Sequence, residues 1–295
     1  MDNRHAYLIM AHADPEHLQQ LINAIDDFRN DIFIHIDGKA DVIKFQGIAS
    51  TKSKLKFLEH RVDVYWGDSS LIDAEYALFN CVRGGCYSRI HLISGADYPL
   101  KSQDEIHQFF DSHVDEEFIG FENGDKELYG GELRKKMRLY NFFLPYISHP
   151  NKRIASFFNF IRRVLLTFQM IVGVNRHYSF DIIKKGSEWA SLSQAFVNEL
   201  LKYETTIKRE YKYTHCCDEI YKQTIAWNSK FRDRISPLGN LRFIDFARGN
   251  NKSPYTFKDC DYEILVASKS LFARKFSSSI SKGVISRLNK AINLI

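Results

Sequence analysis

Short runs rich in β-branched and aromatic residues, at 5–10, 32–37, 62–66 and 90–94, are separated by segments with helical periodicity. Between the first two runs, PEHLQQLINAIDDF sets Leu18, Leu21, Ile22, Ile25 and Phe28 on one helical face, and Pro15 suits the helix start. The alternation predicts an α/β fold: a mostly parallel central sheet with right-handed crossovers, flanked by helices. Ligands of such sheets bind at the carboxyl ends of the strands. Here those ends are polar: Ala11-His12-Ala13-Asp14, His35-Ile36-Asp37, and Ser94-Gly95-Ala96-Asp97-Tyr98-Pro99. Each alone is also an ordinary turn. Three on one edge form a polar rim, with Ser94, Gly95 and Asp97 as candidates for a substrate pocket.

From 112 to 180 the pattern loosens. One stretch combines Phe157, Phe158, Phe160, Ile161, Val164, Leu165, Phe168 and Ile171 with Lys152, Arg153, Arg162 and Arg163. At the C-terminus, Ile280, Val284, Leu288, Ala291 and Ile295 fall near helical spacing beside Lys282, Arg287 and Lys290. Both read as amphipathic helices with a basic rim, either core helices with solvated cations or elements that touch an anionic membrane. No uninterrupted apolar run of about 20 residues marks a bilayer span. Without repeats, low-complexity tracts or a linker, the chain reads as a single domain over 1–295, with a nucleotide-binding half at about 1–111 and an acceptor or catalytic half at about 112–295.

With 295 residues, 44% of them hydrophobic, the chain can bury a large core, which excludes a disordered tail. The net charge of +5 is too small to require nucleic acid, but it suits a phosphorylated ligand or an anionic surface. Five cysteines, with no export signal at the N-terminus, predict free thiols in a reducing, cytoplasmic setting; the two basic amphipathic stretches add the alternative of peripheral attachment at the inner face of the cell membrane.

Chemistry-bearing residues cluster in Thr214-His215-Cys216-Cys217-Asp218-Glu219. Adjacent residues make a poor tetrahedral zinc site, and adjacency does not make a Cys–His nucleophile. Asp218 and Glu219 precede a helical pattern, where an acid either favours the helix start or points into a cleft as a base. Late cations stand at Arg248 and Lys252 in ARGNNKSP, and at Arg274 and Lys275 between the aromatic residues of LFARKF. A half-buried cation there needs an anionic partner, and a diphosphate would serve. No Walker loop or GxGxxG follows a strand. The literal Asp-x-Asp, Asp259-Cys260-Asp261, opens a helical pattern and reads as helix-start acids.

Eight fragments in order, HAYLIMAH, IFIHIDGKAD, VYWGDSSLIDAEYALF, HLISGADYPLKS, KKGSEWASLS, DEIYKQTI, LRFIDF and LFARKF, resemble the core-2/I-branching β-1,6-N-acetylglucosaminyltransferases and the related peptide O-xylosyltransferases, including bacterial members. The resemblance implies a GT-A-like fold, a UDP-sugar donor, inversion at the anomeric carbon and no divalent metal or other cofactor. By the same resemblance, Asp37 contacts the uridine, helped by Ala11 and His12, and Glu219 is the catalytic base. Cys217 departs from the family's Pro-Asp-Glu without touching the carboxylate. Lys275 is one of two cations that replace a metal at the diphosphate; the second is Lys252 by counting back, or Arg248. Ser187, Glu188 and Trp189 either line the sugar pocket or support it. Phe246 stands where mammalian branching enzymes carry an acceptor-contacting tryptophan, and Glu122 and Arg138 are acceptor-side candidates.

The implied activity is transfer of a sugar, N-acetylglucosamine first, to a hydroxyl of a glycan or lipid-linked oligosaccharide. The chain lacks the stem, anchor and cysteine framework of secretory-pathway relatives, so a bacterial type is expected. The competing readings are UDP-xylose-dependent transfer to a protein hydroxyl and a non-catalytic glycan- or nucleotide-binding protein on the same fold.

Overall fold

The computed structural model describes residues 3–122, 132–250 and 253–292. In chain order the elements are β1 (His5–Ala11), α1 (Pro15–Ile25), β2 (Asn30–Ile36), β3 (Lys54–Phe57), α2 (Ser70–Cys81), β4 (Arg89–Ser94), β5 (Asp97–Pro99), α3 (Gln103–Asp111), β6 (Phe118–Phe121), α4 (Glu132–Arg138) and α5 (Lys152–Ile171). There follow β7 (Gly186–Leu192), α6 (Gln194–Lys202), α7 (Glu204–Tyr211), α8 (Tyr221–Trp227), β8 (Arg242–Ile244), α9 (Tyr262–Val266), β9 (Phe272–Arg274) and α10 (Lys282–Ala291).

Among the described residues the strands form a six-stranded sheet, β3-β2-β1-β4-β7-β6, and a three-stranded one, β5-β9-β8. β3, β2, β1 and β4 are parallel; β7 runs antiparallel to both β4 and β6. β1 and β2 are buried at every position, as strands covered on both faces must be. Leu8 and Met10 of β1 face a core with Ile72 and Phe79 of α2 and Phe196 of α6. Tyr7, Ile9 and Ala11 face a second core with α1, the small sheet and α10. Arg242 of β8 ties the sheets together, its buried guanidinium donating to the carbonyls of Leu92 and Ala190.

The expected strands at 5–10, 32–37 and 90–94 are present within a residue or two. The one at 62–66 is not: this segment crosses the end of β2, where the Val62 amide donates to His35 Nε2 and the Gly38 amide to the Val62 carbonyl. The strand beside β2 at that edge of the sheet is β3, whose burial alternates. α1 ends at Ile25, so Phe28 lies beyond it, 72% exposed. α10 buries Val284, Ile285 and Leu288 in the core, which removes it as a membrane element, while Ile280 precedes the helix and Ile295 lies outside the described residues. α5 keeps its apolar residues largely exposed; by length and composition it is apolar enough to cross a bilayer, a signal that Arg162 and Arg163 hide from a search for unbroken apolar runs.

Candidate active site

The register Ala11↔Ile36 and Met10↔Ser94 brings the three polar strand ends to one edge, closed by hydrogen bonds from the Asp37 amide to Ala11 and from the Gly95 amide to Met10. Asp37 accepts from the Lys39 amide at 2.9 Å and from Lys39 Nζ at 2.9 and 3.0 Å. His12 stands exposed on the rim. Desolvation lowers its pKa below the ordinary imidazole value; Asp37 opposes the shift, and Lys275, Arg274 and Lys39 add to it.

Two carboxylates bring the end of β9 and the residues after it to this rim. Asp14, in the left-handed region at φ 55°, caps α1 through the His17 amide and also accepts from the Ser278 amide and hydroxyl at 2.8 and 2.6 Å. Asp97, fully buried, accepts from Arg274 Nη1 at 3.0 Å and from the Ser94 amide at 3.1 Å. Asp97 therefore faces inward and braces Arg274 from behind, while Ser94 is buried with its hydroxyl accepting from the Ala96 amide, a correction to their expected place in the pocket wall. Gly95 is steric: a Cβ there would lie 2.8 Å from that of Ala11. Lys275 is half-buried, and no carboxylate pairs with it among the described residues. Desolvation, then Arg274, lowers its pKa below the usual lysine value.

Beside this rim opens a cleft of about 1000 Å³ whose lining includes Glu122, Ser187, Glu188, Trp189, Glu219 and Phe246, all six expected, together with Arg274. The pairing Phe121↔Gly186 sets Glu122 beside Lys185. This pairing requires glycine, since a Cβ at Gly186 would fall 1.7 Å from the Gly120 carbonyl. Lys185 forms ion pairs with Glu122 and, at 3.4 Å, with Glu219.

Glu219 ends a single 3-10 turn, Cys217–Glu219, entered through Cys216 in the left-handed region at φ 53°. Neither Asp218 nor Glu219 caps the following helix, so the cleft-facing alternative holds for Glu219. Behind the turn, Lys222 Nζ donates to both Glu75 carboxylate oxygens at 2.8 and 2.6 Å and to the Asp218 carbonyl at 2.9 Å, and the Tyr221 hydroxyl also donates to Glu75. Lys222 and Glu75 are both fully buried. Burial, then Glu219 and Glu75, pushes the Asp218 carboxyl up to about 7 against the opposing Lys222. Glu188 is raised for the same reasons: burial first, then Asp218 and Glu75. The Cys216 thiol is pushed up to about 12 by burial and Cys217 is raised too, so neither is a thiolate ligand or nucleophile near neutrality.

Other candidates lie elsewhere. Arg248 is engaged by Asp245 and Asp261, each at 2.6 Å, and stacks on Tyr255, which argues against it as a cation free for diphosphate. Lys252 falls outside the described residues. Arg138 lines a separate cavity of about 210 Å³ with Arg176 and Tyr178. Asp261 accepts from the Lys258 amide at 2.7 Å ahead of α9, as helix-start acids do. Sequence reasoning passed over Lys185, Lys222 and Glu75. The signal for Lys185 was the cation pair directly ahead of GSEW; Glu75 lies 147 residues from Lys222, and nothing local links them.

A mostly parallel sheet with a polar, cation-bearing rim, opening onto a cleft with a presented carboxylate, is consistent with a GT-A-like fold. Residues 5–267 match the Core-2/I-Branching enzyme family model, and the chain belongs to that family. It is similar to human xylosyltransferase 2, 22% identical over 97% of this chain and 33% of the relative, and to human xylosyltransferase 1, 22% identical over 97% of this chain and 30% of the relative. Rat xylosyltransferase 1 is also 22% identical, with 35% of its length covered. The chain thus spans about a third of the length of these curated relatives.

Proposed function

We propose that the protein transfers a sugar, N-acetylglucosamine first among the candidates, from a UDP-sugar to a hydroxyl of a glycan or lipid-linked oligosaccharide, with inversion and without a metal ion. The observation that carries this reading is Glu219, held on the cleft by Lys185 and anchored from behind through the Lys222 bond to the Asp218 carbonyl. Its carboxylate takes the proton of the attacking hydroxyl as the new glycosidic bond forms at the anomeric carbon. The bond to the diphosphate breaks, its electron pair leaves on UDP, and Lys275 stabilises the departing charge. Asp37, Ala11 and His12 are assigned to the nucleoside, and Ser187, Glu188 and Trp189 to the sugar.

Metal independence is supported by the donor set, because the strand-end carboxylates Asp37 and Asp97 already hold Lys39 and Arg274. Similarity to xylosyltransferases favours a second reading, UDP-xylose as donor and a peptide hydroxyl as acceptor. The assigned location is the cytoplasmic face of the membrane.

A panel of UDP-sugars, followed by thermal shift and by hydrolysis with and without EDTA, tests donor and metal together. One stabilising UDP-sugar, slowly hydrolysed in EDTA, is expected. Activity lost to EDTA and restored by manganese overturns the metal reading, and no response to any uridine nucleotide moves the protein to the binding-module class. Glu219→Gln should keep UDP binding and lose transfer; wild-type transfer in that variant removes Glu219 from the base role.

A further inference from the structure

Residues 133–180 hold nine Lys or Arg and no Asp or Glu, whereas the other 247 residues hold 32 basic and 36 acidic. The chain's net positive charge is therefore concentrated around α5. Along that helix Arg153, Phe157, Phe160, Val164, Phe168 and Ile171 fall, at 100° per residue, within an arc of about 80°. This is the outward face: Phe157 is 59% exposed, Phe160 66%, Phe168 59% and Ile171 78%.

The opposite face is fastened to the protein. Phe158 stacks on Tyr146 at 4.5 Å, Asn159 donates to the Ile147 carbonyl at 3.0 Å, and Arg162 donates to Asn141 at 2.6 Å. Gln169 exchanges two hydrogen bonds with the Tyr140 backbone, at 2.7 and 3.0 Å.

We infer that the outward face of α5 docks on an anionic lipid surface, lying parallel to the bilayer. An aromatic stripe flanked by cations suits the boundary between headgroups and acyl chains, and the absence of acids over 48 residues complements a negative leaflet. A second copy fits poorly, since a two-fold contact would set this cationic stretch against itself. Crossing the bilayer would require releasing the polar bonds of the inner face. The inference rests on this surface and stands whatever the sugar chemistry.

The test is sedimentation of the full chain with phosphatidylcholine vesicles, with and without phosphatidylglycerol, for wild type, Arg153→Glu/Arg163→Glu and Phe157→Ser/Phe160→Ser/Phe168→Ser. Wild type should partition to the phosphatidylglycerol vesicles alone and be released by salt. Each multiple variant, altered only at exposed positions, should lose more than about tenfold in partition while keeping its thermal midpoint within a few degrees. Wild type left in the supernatant, or variants that bind as well as wild type, overturns the inference. So does a dimer in sedimentation equilibrium that the Phe variant abolishes without any vesicle binding, or wild type that resists both salt and carbonate extraction.

Discussion

Lys222→Met would expose how the turn that presents Glu219 is held. The substitution removes three hydrogen bonds from a fully buried ammonium and leaves the Glu75 carboxylate, at 0% exposure, with the Tyr221 hydroxyl as its one donor among the described residues. Breaking a buried pair from one side costs about 3–5 kcal/mol, a large share of the roughly 5–15 kcal/mol that holds a domain folded. Adding Glu75→Gln removes the stranded charge but keeps an acceptor for Tyr221, so the double variant should recover most of the loss and sit within about 1–2 kcal/mol of wild type. Activity should not follow stability. The Asp218 carbonyl lacks its donor in both variants, so transfer should stay at least about tenfold down, because small displacements of a reacting group are costly. Urea denaturation read by tryptophan fluorescence measures the first effect, and transfer at saturating donor the second. If Lys222→Met is within about 1 kcal/mol of wild type, or the double variant is as unstable as the single, the buried pair does not hold this region. Full transfer in the double variant would remove the Lys222 bond from the site's geometry.

Lys275→Ala should lower turnover roughly a hundredfold or more while the fold survives, checked by initial rates beside a thermal melt; an unchanged rate refutes its diphosphate role. His107 is buried and neutral, its pKa lowered to about 4 by burial first, so the unfolded chain binds protons more readily below the ordinary value of 6.5, and stability is lost as pH falls from there toward 4. Buried carboxyls such as Asp218 titrate with the opposite sign, so the quantity to read is the stability of wild type relative to His107→Phe, which should shrink by about 2 kcal/mol between pH 7 and pH 5 in urea titrations. A pH-independent difference refutes the assignment.

What the sequence showed followed the range of the forces involved. Asp14 and Pro15 mark the start of α1 through local capping, and the continuous apolar runs of β1 and β2 mark buried parallel strands, so the polar rim could be read directly. The segment 62–66 has strand-like residues but fastens to side chains at the end of β2, a choice made by its neighbours. The α10 stripe matched both a lipid-facing and a core-facing helix, and only tertiary packing decides between them. Glu219 carried no local mark that separated a base from a helix-start acid; family resemblance supplied its proposed role. Arg248 looked free because Asp261, one of its two partners, stands 13 residues away, and Lys185 meets Glu122 only across the pairing of β6 with β7.

The reversed direction of β7 has an evolutionary consequence. Because it runs against β4, its first residues, Gly186 to Trp189, arrive at the edge where the parallel strands finish. The polar rim comes from the first hundred residues and the tip of β9, whereas most of the cleft wall comes from later segments, 120–122, 185–189 and 238–246. The two parts can thus mutate separately, so under the proposed function a lineage could change its acceptor through the cleft wall while leaving the rim untouched.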